Sequence, residues 1–172
     1  VQESAGGGVF PGITISKNNF DAAGRDVNVS YPAAIVLTAG GTIITNNTIS
    51  NFSSGVFLQV CDGSNVAGTP NTMAGNTFDT NGSAIQYYGV GTGAGCLIDA
   101  GISNNSFLNI VRFGVRWNGE PGFVAPTILN ATCNFWGSAA GPGPIDGEPD
   151  PATAGVDIST WNIAPGDACT GA

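Results

Sequence analysis

Short runs of alternating apolar and polar residues, broken by Gly, Asn and Pro, make up most of this chain. Ile13-Thr14-Ile15-Ser16 alternates with a period of two, and Thr42-Ile43-Ile44-Thr45 carries the same β-branched character. Such runs predict strands with one buried and one outward face. They are too short, and too rich in Ile, Val, Thr and Phe, for amphipathic helices. One motif, apolar-x-x-Asn-x-large-apolar, follows from run to run. It reads Ile15…Asn18…Phe20, Ile44…Asn47…Ile49, Met73…Asn76…Phe78 and Ile102…Asn105…Phe107, with a weaker copy at Ala131…Asn134…Trp136. The Asn residues at 18, 47, 76, 105 and 134 advance in equal steps of 29.

A fixed period of this length marks a repeat architecture. After each motif comes another strand-like stretch, at 55–60, 84–88 and 113–117, the last displaced by one residue. Val27, Val56 and Ile85 share one phase, and Val29, Leu58 and Tyr87 another. The expected fold is all-β: a single parallel β-solenoid of about five coils, each strand stacked on its equivalent in the next. The Asn column is expected at a corner in the left-handed αL region, with amides hydrogen-bonded coil to coil. Phe20, Ile49, Phe78, Phe107 and Trp136 are expected to stack in the core. Ser16, Thr45, Ala74, Ser103 and Thr132 form an outward ladder of small residues. The expected organisation is an N-terminal docking or capping segment over 1–11, the solenoid over 12–142 and a C-terminal cap over 143–172.

Composition supports this and narrows the function. The chain has 172 residues, 27 of them Gly and 17 Asn, with charged residues at 9%. Its formal net charge is −8, with four Lys and Arg together and no His. A phosphate-binding face needs clustered Lys and Arg, so nucleic acid is not an expected partner. No run approaches the 18 or so apolar residues of a membrane span. The chain begins at Val1 without a Met, which reads as a processed or excised form.

Four Cys, an even number, suit an oxidising compartment, and no Cys-x-x-Cys pair or His suggests zinc. Four Cys allow three pairings. Cys61 and Cys96 flank loops of neighbouring coils, while Cys133 lies in the last coil and Cys169 near the end, so Cys61–Cys96 and Cys133–Cys169 are the expected bonds. Sequons begin at Asn28, Asn46, Asn51, Asn81, Asn104 and Asn130. They are candidate glycosylation sites, although Asn-rich turns also generate sequons automatically.

The coils 13–20 and 101–107 resemble those of right-handed parallel β-helix proteins of the pectate-lyase-like kind. The stretch Asn134-Phe135-Trp136-Gly137…Gly141-Pro142 is similar to an Asn-x-Trp-Gly-x-x-x-Gly-Pro ending in adhesin-like extracellular proteins of prokaryotes. That resemblance implies a secreted or cell-surface protein. The family includes both enzymes and non-enzymes, so it does not settle activity.

An enzyme of this kind would need converging acids or a basic cluster. Asp21 and Asp79 share a phase but lie two coils apart with Ser50 between, and Asp62 and Glu120 are equally separated. Arg25 and Arg112 share a phase three coils apart. No catalytic site and no cofactor are therefore expected. Asp146, Glu148, Asp150 and Asp157 carry the carboxylate spacing of a calcium loop, but Pro151 stands where that loop needs Gly. They are a weak calcium candidate beside the plainer reading of a solvated acidic loop.

The expected function is an extracellular structural subunit that assembles head to tail with copies of itself, anchored by Val9 and Phe10. The alternative is a carbohydrate-binding or polysaccharide-cleaving β-helix using exposed aromatics such as Tyr88 and Trp117. Ice binding ranks last, because Thr14 and Thr42 are isolated matches to its Thr-x-Thr array.

Overall fold

The computed structural model describes residues 12–27, 33–37, 41–60, 71–89, 101–119, 129–142, 156–167 and 169–171, and no helix occurs among them. Twelve strands build the body. The first rung holds β1 (Thr14–Ser16), β2 (Asn19–Asp21) and β3 (Ala33–Leu37). The second holds β4 (Ile43–Thr45), β5 (Thr48–Ser50) and β6 (Ser54–Val60). The third holds β7 (Thr72–Ala74), β8 (Thr77–Asp79) and β9 (Ser83–Gly89), and the fourth β10 (Gly101–Ser103), β11 (Ser106–Leu108) and β12 (Phe113–Gly119). Equivalent strands pair in parallel to give three four-stranded sheets, a β-solenoid.

From β1 to β10 the chain makes three full turns, so there are four complete rungs rather than five coils. The fifth motif copy contributes only isolated bridges, including Ser106↔Phe135. Gly137, at φ 80°, then turns the chain away before a strand can form.

The core follows the alternation. Ile15, Ile44, Met73 and Ile102 stack inward from the first sheet, and all are buried. Ile49, Phe78 and Phe107 do the same from the second, with Trp136 below them and the half-buried Phe20 above. The Phe78 and Phe107 rings lie 5.6 Å apart, and Phe107 and Trp136 4.7 Å, offset-stacked or tilted as aromatic quadrupoles prefer. Burial of each such side chain contributes about 1.5–3 kcal/mol.

The third sheet corrects the expected phases. Its inner columns are Ile35↔Val56↔Ile85↔Val115 and Leu37↔Leu58↔Tyr87. Ile35 and Leu37 thus replace the expected Val27 and Val29. The first rung spends eight more residues between β2 and β3 than a strict 29-residue period allows, and the shorter connection to β4 restores the period. The displacement in the fourth rung is as expected, since Val115 sits 30 residues after Ile85.

Candidate functional site

Asparagine side chains form the most regular polar feature of the molecule. The Nδ2 of Asn18 donates to Oδ1 of Asn47 at 3.0 Å, Asn47 to Asn76 at 3.0 Å, Asn76 to Asn105 at 2.9 Å and Asn105 to Asn134 at 3.0 Å. Each of these Oδ1 atoms also accepts the backbone N–H of the preceding Asn. Each buried Nδ2 reaches back to a carbonyl of the rung before, as Asn76 does to Ile44 at 2.9 Å. The ladder is therefore a polar chain, with donors pointing towards the C-terminal end. Asn47, Asn76, Asn105 and Asn134 are fully buried, while Asn18, the first rung, is exposed.

The ladder Asn is not the αL residue. Positive φ falls one position earlier, at Lys17, Asn46, Gly75, Asn104 and Cys133. The reason is geometric: the corner residue must turn the chain, and the next residue then points its amide inward along the axis. A second αL column, Asn51, Thr80 and Asn109, turns the chain after β5, β8 and β11. There Asn51 donates to Asp21 Oδ1 at 2.7 Å and Asn109 to Asp79 Oδ1 at 2.9 Å. Thr80 Oγ1 also donates to Asp79, at 3.0 Å. Asp21, Ser50 and Asp79 are in register as the sequence implies, and the two carboxylates brace corners.

Arg112 ties parts of the chain that are far apart in sequence. Its Nη2 donates at 3.2 Å to the carbonyl of Val27, in the connection that follows β2, and approaches Ser53 Oγ at 3.5 Å, so it ties that connection to the flank of the later rungs. The side chain passes beside Gly82, where a Cβ would fall 2.6 Å from the carbonyls of Ser53 and Val27 and 2.8 Å from Nη2. Only glycine leaves that path open.

The two ends of the solenoid differ. At the C-terminal end the tail adds a further rung. β13 (Leu129–Asn130) pairs in parallel with β14 (Val156–Asp157), and Asn134 bridges to Trp161. Cys133 N donates to Thr160 O and Asn162 N to Asn134 O, which repeats the bonding between regular rungs. Trp161 thus takes the position a further ladder Asn would occupy. Its ring packs on Gly141, and its Nε1 donates to Ala139 O at 3.3 Å. β15 (Trp161–Asn162) then pairs antiparallel with β16 (Cys169–Gly171), and a Cys133–Cys169 disulfide fastens the tail.

At the N-terminal end the outer edges of β1 and β2 pair with no strand among the described residues. Lys17 N donates to Thr45 O, and Ile43 N to Ile13 O, so odd-numbered residues of β1 face β4. The N–H groups of Thr14 and Ser16 consequently point away from the body, as do those of Asn19 and Asp21 in β2. Ile13 is 40% exposed at this end.

The remaining sequence candidates divide. Asn81 is fully buried: its Nδ2 donates to Ile49 O at 2.8 Å and its Oδ1 accepts Phe52 N at 3.0 Å. The folded chain therefore offers no glycan acceptor at Asn81, a correction to the sequon count. Asn46, Asn104 and Asn130 are exposed, and Asn51 is half-buried. Asn28, Val9, Phe10, Cys61 and Cys96 lie outside the described residues, as do Asp146, Glu148 and Asp150. Asp157 Oδ1 accepts Ser159 N at 2.9 Å, and hydrogen bonds from Ser159 hold its carboxyl below the ordinary Asp range.

Of the aromatics, Tyr88 is half-buried and stacks on Phe57 with centroids 6.1 Å apart. Phe57, Gln86 and Arg116 form a column between the core columns of the third sheet, on its outer face, where Gln86 and Arg116 are half-buried and Phe57 is buried. Trp117 is in register with the core residues Tyr87 and Leu58, not with that outer column. Compared with known proteins, the chain matches no family model, no curated protein and no solved structure.

Proposed function

We propose that this chain is a non-catalytic extracellular structural subunit that assembles into open, polar filaments. The observation that carries the reading is the asymmetry of the ends. The tail, with Trp161 and the Cys133–Cys169 bond, covers the part of the C-terminal end below β11, while the outer edge of β12 pairs with no strand among the described residues. The edges of β1 and β2, which pair with no strand among the described residues, are templates for a strand from another copy. The donor in this reading is residues 1–11 of a neighbour, with Val9 and Phe10 as apolar anchors and Gly6-Gly7-Gly8 as the hinge. Each subunit can give its segment to one neighbour and take a segment from another, a heterologous exchange that runs on as a filament unless two subunits exchange reciprocally and close as a dimer. The bracing roles of Asp21 and Asp79 support a non-catalytic reading, and the adhesin-like resemblance of 130–142 agrees with it.

Thr14→Pro tests the edge. It removes an outward N–H and leaves the β1–β4 bonds of residues 13, 15 and 17 in place. Electron microscopy and light scattering should show filaments for the parent chain, and monomers for both Thr14→Pro and a chain lacking residues 1–10. A parent chain that stays monomeric at high concentration, or variants that assemble equally well, would overturn the reading.

The stacked Phe57 and Tyr88 beside Gln86 and Arg116 favour a second reading, a carbohydrate-binding flank. Retention of the parent chain on an insoluble polysaccharide, lost in Tyr88→Ala, would select it.

A further inference from the structure

We infer that Asn46 and Asn104 are a paired acceptor site for N-linked glycans, an inference that rests on the extracellular reading above. Both residues are exposed, both sit in the first αL column, and each is followed two positions later by a hydroxyl, Thr48 and Ser106. Asn tolerates positive φ better than any other non-Gly residue, so this corner presents the side chain outward without strain. Neither amide takes part in a hydrogen bond with a described residue, in contrast to Asn51, which is tied to Asp21, and Asn81, which is locked in the core. The two lie two rungs apart on one corner, about 9.6 Å along the axis. Between them stands Gly75, whose added Cβ would lie 2.7 Å from Asn46 Oδ1. The Asn46 carboxamide thus lies against the bare Gly75 rung, which has no side chain to crowd the corner between the pair.

The chemistry requires a co-reactant, an oligosaccharide activated as a lipid-linked phosphate ester, and a transferase. The Asn Nδ2 forms a bond to C1 of the first sugar as the C1–O bond to phosphate breaks. The lipid phosphate leaves with the electron pair, and the amide proton passes to a base of the transferase. The product carries two glycans on the corner between the first and second sheets. Asn46 stands one rung from Lys17 at the open edge and Asn104 one rung from Cys133, where the tail is bonded, so the glycans would shield the low-charge flank along the length between the two ends.

The test is secretion of the full chain from a eukaryotic host that performs N-glycosylation. The folded, Cys133–Cys169-bonded fraction is then mapped by mass spectrometry after amidase treatment in heavy-oxygen water. The expected result is glycan on both Asn46 and Asn104 and none on Asn81. Thr48→Val and Ser106→Ala each remove one glycan while keeping the αL Asn in place, and each should leave the circular-dichroism spectrum unchanged. A folded, bonded protein bare at either position, or bearing glycan at Asn81, would overturn the inference. Bare protein that still forms filaments would defeat only the glycan inference. Glycosylated protein that stays monomeric would defeat only the assembly reading.

Discussion

Asn76 shows what a single side chain does in a stacked fold. Its Oδ1 accepts the N–H and Nδ2 of Asn47, while its Nδ2 serves Ile44 O and Asn105 Oδ1. Asn76→Leu is close in volume but leaves several buried groups without partners. Each buried unsatisfied group costs about 1–3 kcal/mol, so we expect a loss of about 3 kcal/mol or more in urea unfolding. Backbone strain plays no part, because the αL residue is Gly75. An unchanged unfolding midpoint would contradict the ladder. The column was legible in the sequence because equal spacing of one residue type is visible without coordinates. Its conformational role was not, since Asn46 and Asn47 both suit a corner, and only φ distinguishes the turning residue from the one that follows.

Among the elements, β8 and β12 make opposite demands. β8 contributes Phe78, fully buried between Ile49 and Phe107. Phe78→Ala should cost about 3–5 kcal/mol as a core cavity, read from the denaturation midpoint at constant slope. Just before β12, Arg112 reaches beside Gly82 to the carbonyl of Val27, in the connection that follows β2. Arg112→Met keeps the aliphatic stem but leaves the Val27 carbonyl without this donor. We expect a loss of about 1–3 kcal/mol, with faster hydrogen exchange concentrated in the first rung. Exchange that rises uniformly over all rungs would show that Arg112 is not a strap. The strap was invisible in the sequence, because a contact 85 residues apart has no local signature. The displaced Ile35 and Leu37 columns were missed for a related reason. A strict period misplaces the first rung, because a connection between strands lengthens without disturbing the stack.

At the scale of the molecule, the ends decide behaviour. A solenoid has no natural stopping point, because every rung presents the next with a full set of backbone donors and acceptors. Here the stop at one end is Trp161 in the ladder position, held by a disulfide that closes a separation of 36 residues. Cys169→Ser, paired with Cys133→Ser, should lower stability by about 3–4 kcal/mol on the chain-entropy estimate. It should also free the tail and uncover the last rung. Light scattering should then show longer or more aggregated species than the parent gives under the same conditions. A destabilised double variant that associates no more than the parent would mean that the tail is not what blocks that end.

The sequence by itself determined the all-β class, the 29-residue step, the inward columns of the first two sheets and the asparagine ladder. These are properties of one repeat, and a repeat stacked on copies of itself displays its pattern openly in the chain. The Cys133–Cys169 pairing was also within reach, since the two residues lie at the last coil and the tail. Tertiary structure decided what breaks the repeat. It set four full rungs instead of five, moved the αL corner to Asn46 and Asn104, and hid Asn81 while exposing those two sequons. It also placed Trp161 across the ladder's end and left Thr14 and Ser16 with outward N–H groups. Each of these depends on which strand lies beside which at the boundary of the stack, where the repeat has no neighbour to predict it.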